Sequence, residues 1–299
     1  MKKKLAVLLS VFFVLSACTQ DHSQKQNKSE LPKKETVNSE EKETSIAGKL
    51  PKIDHIVIIV EENHSQEQII GNPSAPYINS LAAEGASLTN NHGTSRPSQP
   101  NYLDLFSGSN QGVSSNDVPE SKFSAPNLGS ELIEKGFSFA GYSEDLPSIG
   151  FNGKTSGNYV RKHNPWVNFS NLPQETNQPL GNFPKDFSNL PTVSFIIPNQ
   201  QNNMHDGSIE QADKWLKEHI DSYLQWAKRN NSLLIVTWDE DNGSKENKIP
   251  TIFIGPMVKP GKFNEDLSHF NLLRTIEDIY GLGHAGKSDT VQPIINIWK

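Results

Sequence analysis

Three clusters of acidic and histidine residues each follow an apolar segment of the chain. They are E-E-N-H at 61–64, M-H-D-G at 204–207 and D-E-D-N-G at 239–243. Carboxylate and amide oxygens are hard donors that suit Mg²⁺, Ca²⁺ or Mn²⁺. His205 and His269 could add nitrogen ligands, and Zn²⁺ is therefore also compatible. These residue types predict a site for one divalent cation, provided that the clusters meet in space.

A hydroxyl-rich segment at 91–102 contains a candidate nucleophile, Ser98. If Ser98 begins a helix, its hydroxyl lies beside free backbone N–H groups and the positive end of the helix dipole, which favours phosphate oxygens. A bound cation would lower the pKa of that hydroxyl and activate it without a Ser-His-Asp triad. From these residues alone, the alternative is that Ser98 only caps the helix.

The apolar segments before the clusters have the composition of strands that are buried on both faces. Candidate strands are 53–60, 192–197, 233–238, 251–254 and a short segment that ends at Gly141-Tyr142. Helical periodicity marks 128–135, 209–227 and 270–280, the last with Ser268 as its N-cap. This alternation predicts an α/β fold in which helices sandwich a mostly parallel sheet.

Parallel strands place their carboxyl ends along one edge of a sheet, and ligands bind at that edge. The three clusters follow the carboxyl ends of three candidate strands. We therefore expect them to meet and to form a single active site there.

Six motifs, running from about Asp54 to Tyr280, resemble those of a known family. They are V-E-E-N-H, P-S-Q-P-N-Y-L-D-L-F-S-G, V-R-K-H-N-P-W-V-N-F, I-P-N-Q-Q-N-N-M-H-D-G-S, T-W-D-E and S-H-F-N-L-L-R-T-I-E-D. In this order they are similar to the bacterial phosphoesterase family of secreted acid phosphatases, which includes phosphatidylinositol-phosphate phosphatases. Phosphocholine-preferring phospholipases C are more distant relatives. The resemblance implies an alkaline-phosphatase-like fold and a phosphoserine intermediate.

The resemblance also implies roles for individual residues. Metal ligands would be Glu62, Asn63, Ser98, Asp239 and Glu240. Catalytic residues would be Ser98 as nucleophile, with His205 and His163 binding the phosphate or protonating the leaving group. Substrate-binding residues would be Arg96, His163, Asp206 and His269, with Asp206 orienting His205 or joining the metal ligands.

Two positions depart from the family's pattern. Arg96 stands where the family often has His, which would place a cation near the phosphate. The Asp239-Glu240 pair differs from the Asp-Asp pair of some relatives, and this leaves the metal preference open.

The first eighteen residues predict a lipoprotein signal. Three lysines at 2–4 precede an apolar run, and Leu15-Ser16-Ala17-Cys18 resembles a bacterial lipobox. Residues 1–17 would be removed as signal peptide and Cys18 would be diacylated, for example with palmitate. The apolar run at 5–17 is shorter than the ~20 residues of a membrane-spanning helix. Because Cys18 is the only cysteine, an intramolecular disulfide is impossible.

The residues after Cys18 predict a tether followed by one domain. Residues 18–50 are polar and have few large apolar side chains, so they cannot offset the entropy of ordering. Residues 51–299 suit a single catalytic domain in length. We expect an exported protein that is lipid-anchored to the outer face of the bacterial cell membrane.

The charge of the chain excludes some classes of partner. A net charge of −6 gives no electrostatic footprint for nucleic acid. The expected partners are a phosphorylated small molecule or a phospholipid headgroup, together with the membrane through the N-terminal lipid. Nothing in the sequence indicates a protein partner.

The leading functional interpretation is a metal-dependent acid phosphatase that hydrolyses phosphate monoesters. A phosphodiesterase or phospholipase C could use the same residues, and a lipoprotein could bind phosphorylated ligands without turnover. The presence of Ser98 and of both acidic pairs argues against the binding protein. Tyr102 argues against a sulfatase, because it occupies the arginine position of the sulfatase S-x-P-x-R element.

The lipid anchor yields a first prediction. Cys18→Ser removes the thiol that would carry the lipid, so the protein should leave the membrane fraction and keep its fold and activity. Cell fractionation measures the first effect, and an activity assay of the soluble fraction measures the second. A variant that still sediments with membranes would contradict the lipobox interpretation.

Overall fold

A nine-stranded sheet runs through the centre of the computed structural model, which describes residues 50–299. Its strands are β1 (His55–Glu61), β2 (Ala86–His92), β3 (Phe139–Ser143), β6 (Asn177–Pro179), β7 (Val193–Ile197), β8 (Ser232–Trp238), β9 (Lys248–Ile254), β10 (Gly261–Phe263) and β11 (Leu267–Ser268). A separate hairpin consists of β4 (Thr155–Ser156) and β5 (Tyr159–Val160). The predicted signal peptide and Cys18 lie outside the described residues, as does the predicted tether up to residue 49.

Six α-helices connect or flank the strands. They are α1 (Gln66–Ile69), α2 (Pro76–Glu84), α3 (Ser98–Ser107), α4 (Leu128–Glu134), α5 (Ile209–Ala227) and α6 (His269–Tyr280). Short 3₁₀ turns lie at Arg161–His163, Pro165–Asn168, Gln174–Thr176, Leu180–Asn182, Phe187–Asn189 and Gly286–Thr290. Among residues 50–299, no helix is long and apolar enough to cross a membrane.

The strand order is β10-β2-β9-β8-β1-β7-β3-β6, with β11 also paired to β2. Strand β1 pairs in parallel with β7 on one side and with β8 on the other. Only β9 runs antiparallel to its neighbours, β2 and β8. The predicted mostly parallel sheet is therefore confirmed, and β1, β7 and β8 lie side by side with their carboxyl ends at one edge.

Helices cover both faces of the sheet, as predicted. Strand β1 alternates its side chains: Ile56, Ile58 and Val60 belong to one hydrophobic core, whereas Val57 and Ile59 belong to the other. The first core receives apolar residues of α3, α4 and α6, and the second receives those of α2 and α5. Burial on both faces explains why β1 is apolar almost without interruption until Glu61.

Core packing fixes the segment that carries the predicted histidine His163. Trp166 is buried against Phe106, Phe139 and Phe195, and its indole N–H donates to Asn177 Oδ1 at 2.8 Å. Gly141 in β3 faces the indole so closely that an added Cβ would lie 2.1 Å from Trp166 Cζ2. The absence of a side chain at position 141 therefore allows the indole to lie against the sheet.

This close approach yields a second prediction. Gly141→Ala should displace Trp166 and lower the free energy of unfolding by about 1–3 kcal/mol, because the added methyl overpacks the core. Chemical denaturation measures the change. Gly181→Ala is the matched control, since a Cβ at position 181 meets nothing within 4 Å. Equal stability of the two variants would contradict the tight contact.

Candidate active site

The side chain of Glu62 lies at the centre of the candidate site. It follows β1 directly and has no solvent exposure. Helix α3 approaches it with two hydroxyls: Ser98 Oγ donates to Glu62 Oε2 at 3.1 Å, and Tyr102 Oη donates to Oε1 at 2.8 Å. Ser98 is the first residue of α3 and follows the N-cap Pro97. Its hydroxyl is therefore directed at a carboxylate and does not cap the helix.

His163 approaches the same carboxylate from the segment after β5. Its Nε2 lies 2.8 Å from Glu62 Oε1, which is an ion-pair distance, although the direction is not that of a hydrogen bond. The ring stacks on Tyr102 with centroids 4.9 Å apart and has no solvent exposure. Asn203 Nδ2 lies 3.4 Å from His163 Nδ1. These contacts hold the ring beside Glu62 and Ser98.

The acidic pair after β8 lies beside the residues after β1. Asn63 N–H donates to Asp239 Oδ1 at 3.3 Å, and Asp239 N–H donates to Glu61 O at 3.1 Å. Glu240 contacts α3, where Asn101 Nδ2 donates to Glu240 Oε2 at 3.3 Å. The parallel pairing of β1 with β8 brings these carboxylates together, as the sequence predicts.

Burial, and then mutual repulsion, shift the pKa values of the carboxylates in this cluster. Burial raises the pKa of Asp239 well above its ordinary value, and the charges of Glu62 and Glu240 raise it further. Burial and Glu62 raise the pKa of Glu240 to about 7, although Arg96 opposes the rise. Burial would also raise the pKa of Glu62, but the hydrogen bonds and positive charge around it lower the value overall.

The donor chemistry fits a bound divalent cation, whereas a complete ligand cage is not preformed. No group of three His, Cys, Asp or Glu side chains in residues 50–299 is arranged to hold a metal ion by itself. Asp239 Oδ2 is nevertheless buried without a hydrogen-bond partner, next to two further carboxylates. An unpaired buried oxygen and mutual carboxylate repulsion are both relieved by a hard cation. Glu62, Asn63, Asp239, Glu240 and Ser98 therefore remain the residues that would hold it.

His205 and Asp206 form a pair on the loop after β7. His205 Nδ1 lies 2.7 Å from Asp206 Oδ1, so the carboxylate orients the ring, which agrees with one of the two predicted roles of Asp206. The other ring nitrogen, Nε2, lies 3.3 Å from Lys162 Nζ. The ring centroids of His205 and His163 are 6.3 Å apart. Both predicted histidines thus lie on the side of the site where Lys162 supplies positive charge.

His269 contacts the backbone of the acidic pair after β8. It begins α6, is fully buried, and its Nε2 donates to the backbone oxygen of Asp239 at 2.6 Å. Burial lowers the pKa of the ring, which favours the neutral form. In this position the ring fixes the backbone that carries Asp239, and its predicted contact with substrate stays a prediction.

Arg96 is engaged by the loop after Asp239. One terminal nitrogen lies 3.4 Å from Glu240 Oε2 and 3.0 Å from Asp241 O, and the other contacts the Asp241 carboxylate and Asn247 Oδ1. These bonds occupy both terminal nitrogens of the guanidinium. Its predicted contact with substrate stays a prediction, and the observed contacts fasten the 240–247 loop to the segment before α3.

Three residues of the site were not identified from the sequence. Tyr102 contacts Glu62 directly, and Lys162 contacts His205. Asn203 accepts the N–H of Glu62 through its backbone oxygen and the N–H of His205 through Oδ1. All three lie inside motifs that carry predicted site residues: Tyr102 is four positions after Ser98, Lys162 is one before His163, and Asn203 is two before His205. This proximity in sequence is the signal that could have identified them.

Solved structures share the fold. A protein in the alkaline phosphatase superfamily from Vibrio parahaemolyticus matches 82% of this chain and 71% of its own, with a TM-score of 0.57 and 12% identity. The lipoteichoic acid synthase LtaP from Listeria monocytogenes matches 85% of this chain and 79% of its own, with a TM-score of 0.55 and 11% identity. At these identities the comparison shows the fold alone, and it confirms the predicted alkaline-phosphatase-like architecture.

Relatives found by sequence are considerably more similar to this chain in sequence than these solved structures are. A phosphatidylinositol-3-phosphatase from Mycobacterium tuberculosis is 53% identical over 84% of this chain and 85% of its own length. A probable acid phosphatase from Kluyveromyces lactis is 31% identical over 80% of this chain and 61% of its own length. The Phosphoesterase family matches residues 72–283. The chain therefore belongs to the Phosphoesterase family, and it is a phosphatase.

Proposed function

We propose that this phosphatase hydrolyses phosphate monoesters in a metal-dependent reaction that passes through a phosphoserine at Ser98. The observation that carries the proposal is the hydrogen bond from Ser98 Oγ to the buried carboxylate of Glu62. It directs the hydroxyl to the edge of the sheet where the acidic groups meet. It also places the oxygen at the beginning of α3, where backbone N–H groups favour phosphate oxygens.

In the first step, Ser98 Oγ attacks phosphorus, the Oγ–P bond forms and the ester P–O bond breaks. Glu62 accepts the hydrogen bond of the attacking hydroxyl, aligns its lone pair and takes its proton as the Oγ–P bond forms. The leaving oxygen takes a proton from His205 Nε2, while Asp206 holds the opposite ring nitrogen. In the second step, His205 accepts a proton from the water that attacks phosphoserine. The P–Oγ bond breaks, inorganic phosphate is released, and Glu62 returns the proton to Ser98 Oγ.

A divalent cation held by Glu62, Asn63, Asp239 and Glu240 would supply Lewis-acid chemistry, lowering the pKa of the Ser98 hydroxyl and neutralising phosphate charge. The charge balance of the chain's own residues supports a cation there, because three carboxylates lie close together and one oxygen of Asp239 is unpartnered. Mg²⁺, Ca²⁺ and Mn²⁺ fit oxygen donors best.

Lys162 is the cation of this chain that we assign to the phosphoryl group. Its ammonium lies 3.3 Å from His205 Nε2, and no carboxylate in residues 50–299 lies within 4.0 Å of it. Arg96, by contrast, is committed to Glu240, Asp241 and Asn247. An ammonium that is not paired with a carboxylate and lies beside the reacting groups would stabilise charge on the phosphoryl oxygens as the ester bond breaks.

The relative supports a proposed substrate class, and the N-terminal sequence supports a proposed location. The Mycobacterium tuberculosis relative is named for phosphatidylinositol 3-phosphate, which supports a phosphorylated inositol lipid as a substrate here. The lipobox at Cys18 supports an enzyme anchored by lipid at the outer face of the membrane. An anchored enzyme is held where phospholipid headgroups are abundant.

The nucleophile yields a third prediction. Ser98→Ala should lower kcat on p-nitrophenyl phosphate by at least about 10³-fold, because the acceptor of the phosphoryl group is lost. Acid quenching of the parent enzyme during turnover should trap phosphate on the peptide that contains Ser98, as detected by mass spectrometry. Ser80→Ala, an exposed serine of α2, is the matched control and should retain activity.

Near-normal turnover by Ser98→Ala would assign the attack to water and refute the covalent step. The same assay with bis-p-nitrophenyl phosphate separates the alternatives. Turnover of the diester alone would favour a phosphodiesterase, and turnover of neither ester would favour a binding protein.

The metal yields a fourth prediction. Asp239→Asn preserves the shape of the side chain but removes one negative charge from the oxygen ligands, so cation affinity should fall by at least about tenfold. Excess Mg²⁺ or Mn²⁺ should restore part of the activity. Titration calorimetry with each metal measures affinity without reference to turnover.

Asp266→Asn is the control for this charge change, because that side chain is 89% exposed and lies outside the site. Full activity after exhaustive chelation, with no metal found by elemental analysis, would refute metal dependence.

A further inference from the structure

A cavity of about 240 Å³ lies between the first turn of α3 and the β4–β5 hairpin. Its lining includes Gln99, Asp117, Lys154, Thr155 and Lys162. Most of the lining residues have polar side chains, among them Lys154, Arg161 and Lys162, although most of the exposed lining surface is apolar. Of these lining residues, only Lys162 has a role assigned above, at the phosphoryl group.

The cavity adjoins the reacting groups on the side of the proposed general acid. Gln99 is the next residue after Ser98, and Lys162 Nζ lies 3.3 Å from His205 Nε2. In phosphoryl transfer the leaving oxygen departs roughly in line with the attacking oxygen. A leaving group that takes its proton from His205 would therefore extend into the space beside Lys162.

The wall of the cavity is preformed. Gln99 is buried, and its Nε2 donates to Ser115 O at 2.9 Å and to Asp117 O at 2.7 Å. The backbone N–H of Gln99 donates to Asn116 Oδ1 at 3.0 Å. These bonds fasten the 115–117 loop to the helix that carries the nucleophile, so the position of the wall is coupled to that of Ser98.

Lys154, at the rim of the cavity, has an ion-pair partner that a ligand can replace. Lys154 Nζ lies 3.1 Å from Asp117 Oδ1, and the side chains are 63% and 79% exposed. An exposed ion pair of this kind contributes little to stability. A phosphate that enters the cavity could displace the carboxylate and take the ammonium as a charge-assisted hydrogen-bond donor.

We propose that this cavity is the leaving-group subsite, and that Lys154 selects phosphate monoesters whose leaving group carries a second phosphate. This inference rests on the proposed phosphomonoesterase function and deepens it. The polar groups of Thr155 and Asn116 suit hydroxyls on the same leaving group. The second phosphate could be the diester of a lipid headgroup or a monoester of a soluble bisphosphate, because Lys154 would recognise the same anion in both.

The test compares substrates with and without the second phosphate, using the full-length protein. The readout is the ratio of kcat/KM for inositol 1,3-bisphosphate to kcat/KM for p-nitrophenyl phosphate. Lys154→Ala should lower this ratio about tenfold. Asp117→Asn should raise it, because the carboxylate that competes for Lys154 is removed. Lys217→Ala removes an exposed lysine of α5, outside the cavity, and should leave the ratio unchanged.

Opposite effects at positions 154 and 117 cannot arise from general damage to the enzyme, so they would establish the subsite. An unchanged ratio in both variants, with p-nitrophenyl phosphate still hydrolysed, would overturn the subsite and leave the proposed function intact. Failure of the parent enzyme to hydrolyse any monoester would overturn the proposed function, and the subsite with it.

A second arm distinguishes the sources of the anion. Phosphatidylinositol 3-phosphate in phosphatidylcholine vesicles replaces the soluble bisphosphate, and the same variants are compared. A loss with Lys154→Ala on both substrates means that the second phosphate is recognised in either form. A loss confined to vesicles would mean that Lys154 meets the lipid surface, and would overturn its assignment to the cavity.

Discussion

Glu62 is a carboxylate without solvent exposure at the carboxyl end of β1, and the burial of that charge has to be compensated by nearby donors. Helix α3 supplies two of them, because Ser98 and Tyr102 are four residues apart and lie on one face of the helix. The ring of His163 arrives from the segment after β5, and the backbone of Asn203 accepts the N–H of Glu62. Ser98, Tyr102 and the ring of His163 therefore contact one buried carboxylate, and the β7 loop is joined to the backbone of the same residue.

The cluster of carboxylates at the edge of the sheet is electrostatically unfavourable by itself, because the charges are buried and repel one another. Asp239 and Glu240 add two carboxylates beside Glu62, and burial together with mutual repulsion raises the pKa of both. Positive charge compensates from two sides: Arg96 contacts Glu240 and its loop, and Lys162 lies toward the histidines. The two cations have different roles. Arg96 uses its terminal nitrogens in structural contacts, whereas Lys162 retains N–H donors for a ligand. This arrangement of charges favours the binding of a cation together with a phosphate. The cation would neutralise the carboxylates, and the phosphate would neutralise the positive charge of Lys162 and of the bound cation.

Much of the architecture is predictable from the sequence, because burial on both faces gives β1, β7 and β8 continuous apolar segments. Ile209–Ala227 is a helix with the bounds that its apolar stripe predicts, and Ser268 precedes α6 as expected. Strand β2 was missed because its sequence, A-S-L-T-N-N-H, is largely polar and its pairing with β9 depends on distant residues. In the site, the acidic clusters were predictable from their positions after strands. The contacts of Tyr102, Asn203 and Lys162 were not, because each depends on the packing of elements far apart in the chain.

The segment from Arg161 to Phe169 joins the stability of the core to the chemistry of the site. Trp166 fixes its far end in an aromatic cluster against β3, and Asn164, between Trp166 and His163, is itself fully buried and donates through Nδ2 to Val160 O at 2.9 Å. Lys162 and His163 are adjacent in sequence but point to different partners, His205 and Glu62. One short segment therefore contacts both Glu62, which accepts from Ser98, and His205, which is proposed to protonate the leaving oxygen. Because Lys162 also lines the cavity beside α3, the backbone that Trp166 anchors in the core contacts both the proposed reacting groups and the proposed space for the leaving group.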